Sequence, residues 1–328
     1  MPLPLCWVIT DGKAGMENQC VAVARRLGLD PVIKRVRLRA PWRQLSPWAL
    51  RIGNTLSLAG GSDRLDPPFP DLLIATGRHS VAPALAVRTL THGECLCVQI
   101  QNPGISPNYF DLVVVPRHDR LSGPNVIVTH GAPHGVTAAA LEHARQRFAE
   151  RLAGLPHPRI ALLLGGDNGV YRFTEQAATA LADCLSTLLR GNHGSLMATP
   201  SRRTGAAIEQ IFRERLSSLP GEIWDGSGDN PYLGYLAYAD HILATADSVN
   251  MVCEAAATGK PVQVIPLDGG SAKFTRFHDA MQAEGITRPF RGTLDHWNSA
   301  SFDDAGMVAA HIADMLAERG FDLLHNRL

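Results

Sequence analysis

The sequence predicts an α/β protein built from two Rossmann-like domains facing across a cleft. Three observations predict it. Short apolar runs alternate with amphipathic stretches along the chain, the pattern of strand followed by helix. Several of the runs are unbroken Val/Ile/Leu, as in parallel strands covered on both faces. The pattern then breaks at Leu155-Pro156-His157-Pro158 and starts again. That break divides 1–154 from 155–328, two arrays of ordinary domain size.

In the first array the strands fall at 5–10, 32–36, 71–75, 95–100, 111–115 and 125–128, and the helices at 16–27, 79–90 and 136–152. After the proline turn come strand 159–164, helix 174–189, strand 195–198, helix 205–216 and strand 222–224. A last helix lies near 303–319. The most informative stretch is 240–266, which reads as strand, tight turn, helix, glycine stop and second strand. Ser248 suits the helix N-cap, because its hydroxyl can accept from a backbone N–H two or three residues on. Gly259 ends that helix and Pro261 prevents its continuation. The segment 225–240 precedes it; its backbone and apolar side chains can frame a base, and its tyrosines can equally be core.

Of 328 residues, 45% are hydrophobic and 19% charged, which fits a globular chain. Lys plus Arg and Asp plus Glu both total 31, so the net charge is zero and no global attraction to nucleic acid follows. Six scattered cysteines sit mostly in apolar runs and read as buried small hydrophobes, not a disulfide framework. Cys95 and Cys97 share a strand face without a second ligand pair for a metal. His130 and His134 are separated by Gly-Ala-Pro, which precludes the shared helical face of a zinc motif. The first ten residues are apolar over too short a run for a signal peptide, so a cytoplasmic protein is the expectation.

In doubly wound sheets ligands bind outside the carboxyl ends of the strands. Five loops there carry chemistry. Thr10-Asp11-Gly12-Lys13-Ala14-Gly15 leaves the first strand; Gly12 and Gly15 allow a tight turn, Lys13 supplies a charge, and the Walker ending is absent. Thr76-Gly77-Arg78-His79-Ser80 offers His79 as a general base, or Ser80 as a plain helix cap. Gln99, Gln101 and Asn102 can grip hydroxyls or form a turn. Gly165-Gly166-Asp167-Asn168 lets backbone N–H groups approach a diphosphate. Ser201-Arg202-Arg203-Thr204 places two cations at a helix start, where the helix dipole disfavours them unless an anion binds.

Taken together, Ile9 through Gln19, Leu164 through Asn168, Ser201 through Thr204 and Thr245 through Pro261 resemble the mitochondrial-fission elongated-mitochondria family over nearly the whole chain. The second half is also similar to GT-B glycosyltransferases, such as the N-acetylglucosaminyltransferase of peptidoglycan synthesis. Gly165 and Gly166 match the Gly-Gly loop of those enzymes. Ser248 and Glu254 match their small-residue turn and their ribose-gripping Glu.

The resemblance implies a GT-B-like, metal-independent glycosyltransferase that binds a nucleoside diphosphate sugar and no other cofactor. The second domain would hold the donor through Gly165, Gly166, Asp167, Asn168, Ser201, Arg202, Arg203, Thr204, Asp247, Ser248 and Glu254. The first would hold the acceptor through the loops 11–18 and 76–79, with Gly12, Lys13 and Gly15 shaping the first of them. Arg202 or Arg203 would offset the leaving diphosphate, and Asp11 or His79 would deprotonate the acceptor hydroxyl. Two rival readings stand beside this one. One is a non-catalytic adaptor presenting its first domain to a membrane or a protein, as plant members of the family recruit a dynamin-related protein. The other is a GT-B-like nucleotide-sugar epimerase; the short-chain type is excluded because no Tyr-x-x-x-Lys occurs.

Overall fold

The computed structural model describes residues 3–46, 58–299 and 301–323. The chain divides into two compact units: Met1–Gly135 with Asp303–Leu328, and Val136–Phe302. The change of unit comes ahead of the first helix after Gly135, not at the proline turn 155–158, which lies inside the second unit. The chain then returns to the first unit at Asp303.

The first unit holds β1 (Cys6–Thr10), α1 (Ala14–Arg26), β2 (Val32–Arg35), α2 (Trp42–Leu45), β3 (Leu72–Thr76), α3 (Val81–Leu90), β4 (Leu96–Ile100), β5 (Leu112–Pro116) and β6 (Val126–Thr129). Its six strands are parallel, in the order β2-β1-β3-β4-β5-β6. Every residue of β1, β3, β4 and β5 is buried, as the unbroken apolar runs predict. Side chains alternate between faces: Cys6 and Val8 join one core, Trp7 and Ile9 the other. Cys95 and Cys97 share one face, and burial pushes the Cys95 thiol up to about 12, so it is an inert apolar filler.

The second unit holds α4 (Ala138–Arg147), α5 (Ala149–Leu152), β7 (Arg159–Leu164), β8 (Tyr171–Arg172), α6 (Glu175–Asn192), β9 (Ser195–Pro200), α7 (Ala206–Leu216), β10 (Gly221–Ile223), α8 (Tyr232–Tyr238), β11 (His241–Thr245), α9 (Val249–Ala256), β12 (Val262–Ile265), β13 (Asp268–Gly269), α10 (Ala272–Ala283) and β14 (Thr287–Pro289). Its main sheet is also parallel, ordered β10-β9-β7-β11-β12-β14. The final helix α11 (Asp304–Glu318) packs its Val308, Ile312 and Leu316 into the first unit's core.

Two local departures from the predicted elements have packing causes. The helix expected over 136–152 is broken at Phe148, whose backbone leaves the helical region and whose ring packs against Gly234 of α8; a Cβ there would meet it at 2.7 Å. The helix expected from His79 begins at Val81, after a 3₁₀ turn over Arg78–Ser80. Ser80 does not cap it; its hydroxyl donates to the carbonyls of Thr76 and Gly77, 2.5 and 2.8 Å away. Among the described residues no helix is long and apolar enough to cross a membrane.

Candidate functional site

In each sheet the chain builds outward in one direction from its first strand and then crosses to the other side. That switch lies between β7 and β11 in the second unit, and between β1 and β3 in the first. Loops leaving adjacent strands on opposite sides of such a point diverge and open a crevice at the carboxyl edge. The residues singled out from sequence cluster at these two points.

In the second unit the organising group is Asp247, in the turn between β11 and α9. Its side chain is 0% exposed. One oxygen accepts from the Thr245 hydroxyl at 2.6 Å, and the other from the Gly166 N–H at 3.0 Å. The Arg203 guanidinium, 40% exposed, reaches the second oxygen at 2.7 Å. The Gly165 N–H donates to Thr245 Oγ1 at 2.7 Å. Both glycines are therefore demanded by close approach, since neither has a positive φ. A Cβ on Gly165 would lie 2.1 Å from Asp247 Oδ1, and one on Gly166 would lie 1.9 Å from the Arg203 carbonyl. Their two N–H groups point into this network and serve Thr245 and Asp247.

Thr204 closes the floor. Its hydroxyl lies 3.0 Å from the Leu164 carbonyl and 2.5 Å from that of Gly165. Ser201 accepts from the Arg203 N–H at 3.2 Å, so the four-residue turn Ser201–Thr204 is fastened to the end of β7. Arg202 is exposed and pairs with no carboxylate among the described residues. Asp167 and Asn168 act as loop staples: Asp167 accepts from the Phe173 N–H at 2.7 Å, and Asn168 Oδ1 from the N–H groups of Val170 and Tyr171 at 2.8 Å.

Ser248 caps α9 as its sequence position predicts, accepting from the Met251 N–H at 3.4 Å. Gly259 ends the motif at φ +69°, a backbone conformation open to glycine at little cost. Glu254 is half-buried on α9 and accepts from the Tyr232 hydroxyl at 2.5 Å. Burial pushes its carboxyl up, partly offset by that hydrogen bond. The pairing of Tyr232 with Glu254 could not be read from the sequence, because a helix start 22 residues upstream carries no signal of it. The segment Asp268-Gly269-Gly270-Ser271 was missed too. Its Asp268 and Gly269 pair with Arg172 and Tyr171 in a two-stranded antiparallel ribbon, and the segment leads into α10.

In the first unit, Asp11 and His79 do come together. His79 Nδ1 lies 3.8 Å from Asp11 Oδ2, and the Lys13 ammonium 2.7 Å from the same oxygen. Gly12 turns the chain at φ +84°, while Gly15 lies within α1. Burial lowers the His79 pKa, against the opposing pull of Asp11, so its ring is neutral near pH 7 and able to take a proton. The amide loop 99–102 contributes through Gln101, whose Nε2 lies 3.3 Å from the Gln19 side chain. No group of three or more His, Cys, Asp or Glu suited to a metal occurs among the described residues.

This arrangement has relatives of known fold. The UDP-GlcNAc 2-epimerase of Methanocaldococcus jannaschii superposes with a TM-score of 0.57 at 12% identity, covering 95% of this chain and 99% of that one. The glycotransferase of kitacinnamycin superposes with a TM-score of 0.52 at 14% identity, covering 97% of this chain and 93% of that one. At such identities the likeness is one of fold, and the fold is GT-B-like.

Sequence relatives are nearer. The mitochondrial fission protein ELM1 of Arabidopsis thaliana is 28% identical over 393 aligned positions, covering 96% of this chain and 92% of the relative. An uncharacterized protein of Rickettsia prowazekii (strain Madrid E) is 26% identical over 345 positions, covering 92% and 96%. A sequence model of the family described as Mitochondrial fission ELM1 matches residues 14–316. The chain therefore belongs to the mitochondrial fission ELM1 family.

Proposed function

We propose that the second unit binds a nucleoside diphosphate sugar at the carboxyl edge of β7 and β11. The observation that carries this is the convergence there of three features. The Asp247 network makes a rigid floor, Arg202 stands exposed in the turn ahead of α7 with no carboxylate partner among the described residues, and Glu254 is held by Tyr232. The N-terminus of α7 and the Arg202 guanidinium ahead of it both favour an anion between them. Arg202 is the diphosphate contact in this reading. Arg203, engaged with Asp247, holds the turn in place. Glu254 accepts from ribose hydroxyls, with Tyr232 fixing its orientation. Gly165 and Gly166 pack closely against Asp247 and the Arg203 carbonyl and so form part of the floor, and Ser248 caps the helix that carries Glu254.

The first unit carries a candidate general base of its own for a bound hydroxyl. His79 takes this role, since its ring is neutral, and Asp11 stabilises the imidazolium that forms. The M. jannaschii epimerase was also solved with UDP-GlcNAc and UDP, at a TM-score of 0.53, which supports UDP-GlcNAc as the first ligand to test and isomerisation of the donor as the second reading.

Isothermal titration with UDP-GlcNAc, GDP-mannose and ADP-glucose tests the binding claim. One donor is expected to bind, and Arg202→Ala to weaken it at least tenfold. Failure of all three to bind would sink the proposal and favour a non-catalytic adaptor. Product analysis then separates the activities: transfer or donor hydrolysis that disappears in His79→Ala with binding intact, against donor isomerised without acceptor.

A further inference from the structure

At the opposite, amino edge of the second unit's main sheet lies a groove of about 980 Å³, unrelated to the carboxyl-edge site. It is bounded by the residues just before β7, β11 and β12, the end of α6 and the segment after β14. Its size is that of a small-molecule site. Three observations distinguish it from a plain surface groove.

First, Lys260 lines it, and its ammonium touches no carboxylate among the described residues. It donates to the carbonyls of Leu236 and Ala237, both at 2.7 Å, at the end of α8, leaving one of its three N–H donors. The charges around it are chiefly positive. Arg145 and Arg159 stack on Tyr238 beside it, while Asp240 is already engaged by His157 at 2.6 Å and by the Arg159 N–H at 2.7 Å. Burial lowers the Lys260 pKa to about 8, which reflects an ammonium without a full counter-charge.

Second, His241 lines the groove at 1% exposure, and its ring makes no hydrogen bond among the described residues, with Nδ1 enclosed and unpartnered. A buried polar group without a partner calls for a specific reason. His296, exposed on the rim, meets that ring edge to face at 4.6 Å. Third, the wall is built and not loose. The buried Gln263 side chain donates to the Thr293 carbonyl at 2.9 Å and accepts from the Asp295 N–H at 3.3 Å, fastening the segment that carries His296.

We propose that this groove is a second ligand site, which takes a small organic anion, a carboxylate or phosphate on an apolar body. The anion accepts from the remaining Lys260 N–H and from the Nε2–H of His241, the ring nitrogen that is not enclosed, a charge-assisted pairing stronger than a neutral one. The apolar body rests on Pro158, Leu188, Pro261 and Leu294.

The test uses ¹⁵N-histidine-labelled full-length protein, with the imidazole resonances of His241 and His296 followed by NMR. The probes are benzoate, phenyl phosphate and the neutral benzyl alcohol, which share one apolar body. A saturable shift of both rings is expected with at least one anion, telling carboxylate from phosphate, and none with benzyl alcohol. Lys260→Met is expected to raise the dissociation constant at least tenfold with an unchanged circular dichroism spectrum. His296→Ala, at an exposed position, is expected to weaken binding severalfold and carries the test if Lys260→Met does not fold. The proposal is overturned if neither anion shifts the rings up to 20 mM (~20 mM being weaker than any specific site of interest). It is equally overturned if benzyl alcohol acts alike, or if the folded variants bind as wild type does.

Discussion

Gly165 and Asp247 compete for one volume, and that competition predicts a strongly non-additive pair of substitutions. Asp247→Ala removes a wholly buried carboxylate and leaves the Gly166 N–H and the Thr245 hydroxyl without their acceptor. Each buried group so stranded costs about 1–3 kcal/mol, while Arg203, 40% exposed, turns to water. The single change should therefore cost about 3 kcal/mol. Gly165→Ala is permitted by the backbone, since φ is not positive there. Its methyl, however, would sit 2.1 and 2.3 Å from the two carboxylate oxygens, so the carboxylate must leave. That breaks the same hydrogen bonds and displaces a buried charge, at about 3–5 kcal/mol.

In the double variant the new methyl enters space that the carboxylate has vacated. The expected cost is then about 3 kcal/mol in place of the additive 6–8, a coupling of roughly −3 to −5 kcal/mol, at or above the upper end of values seen for residues in contact. Urea unfolding of the four proteins, followed by circular dichroism with linear extrapolation, measures it. Additivity within about 0.5 kcal/mol would refute the claim that Gly165 is a glycine to make room for Asp247.

Three further outcomes are expected. Tyr232→Phe removes the hydroxyl that holds Glu254 at 2.5 Å, and should cost about 1 kcal/mol of stability by thermal melting and weaken nucleotide-sugar binding severalfold in titration. Asp304→Ala, in the first unit, should cost about 2–4 kcal/mol in urea unfolding: that carboxylate, 2% exposed, accepts from the Gly131 N–H at 2.8 Å and from the His130 N–H at 3.2 Å. Lys260 has a folded pKa near 8 against 10.5 for the free group, so the unfolded chain binds more protons between those values and stability must rise with pH across that window. Comparing wild type with Lys260→Met from pH 7 to 10.5 should show a difference on the order of 2–3 kcal/mol that closes as pH rises; a constant difference would contradict it.

The strand–helix alternation was legible because buried parallel strands leave a local mark, an unbroken apolar run, and because caps and glycine stops are written within a few residues of the helix they bound. Thus 240–266 reads correctly from Thr245 to Pro261, down to Ser248 on the Met251 N–H. The loop positions were legible for the same reason, since a strand followed by a polar, glycine-rich turn names its own carboxyl end. The partners were not. Asp167 and Asn168 look like ligand groups in the sequence, and their bonds to the Phe173 and Tyr171 N–H groups of their own loop could not be read there.

By itself, then, the sequence determined two arrays of parallel βα units, the turn at 245–248 and the polar loops at strand ends, all consequences of patterning within about ten residues. Tertiary structure alone decided four things. The last helix belongs to the first unit, Asp247 fills the space beside Gly165, Glu254 is tied to Tyr232, and Lys260 meets carbonyls in place of a carboxylate. Each depends on segments tens to hundreds of residues apart in the chain. Burial and hydrogen-bond geometry between such segments are set by packing, which no local run of residues encodes.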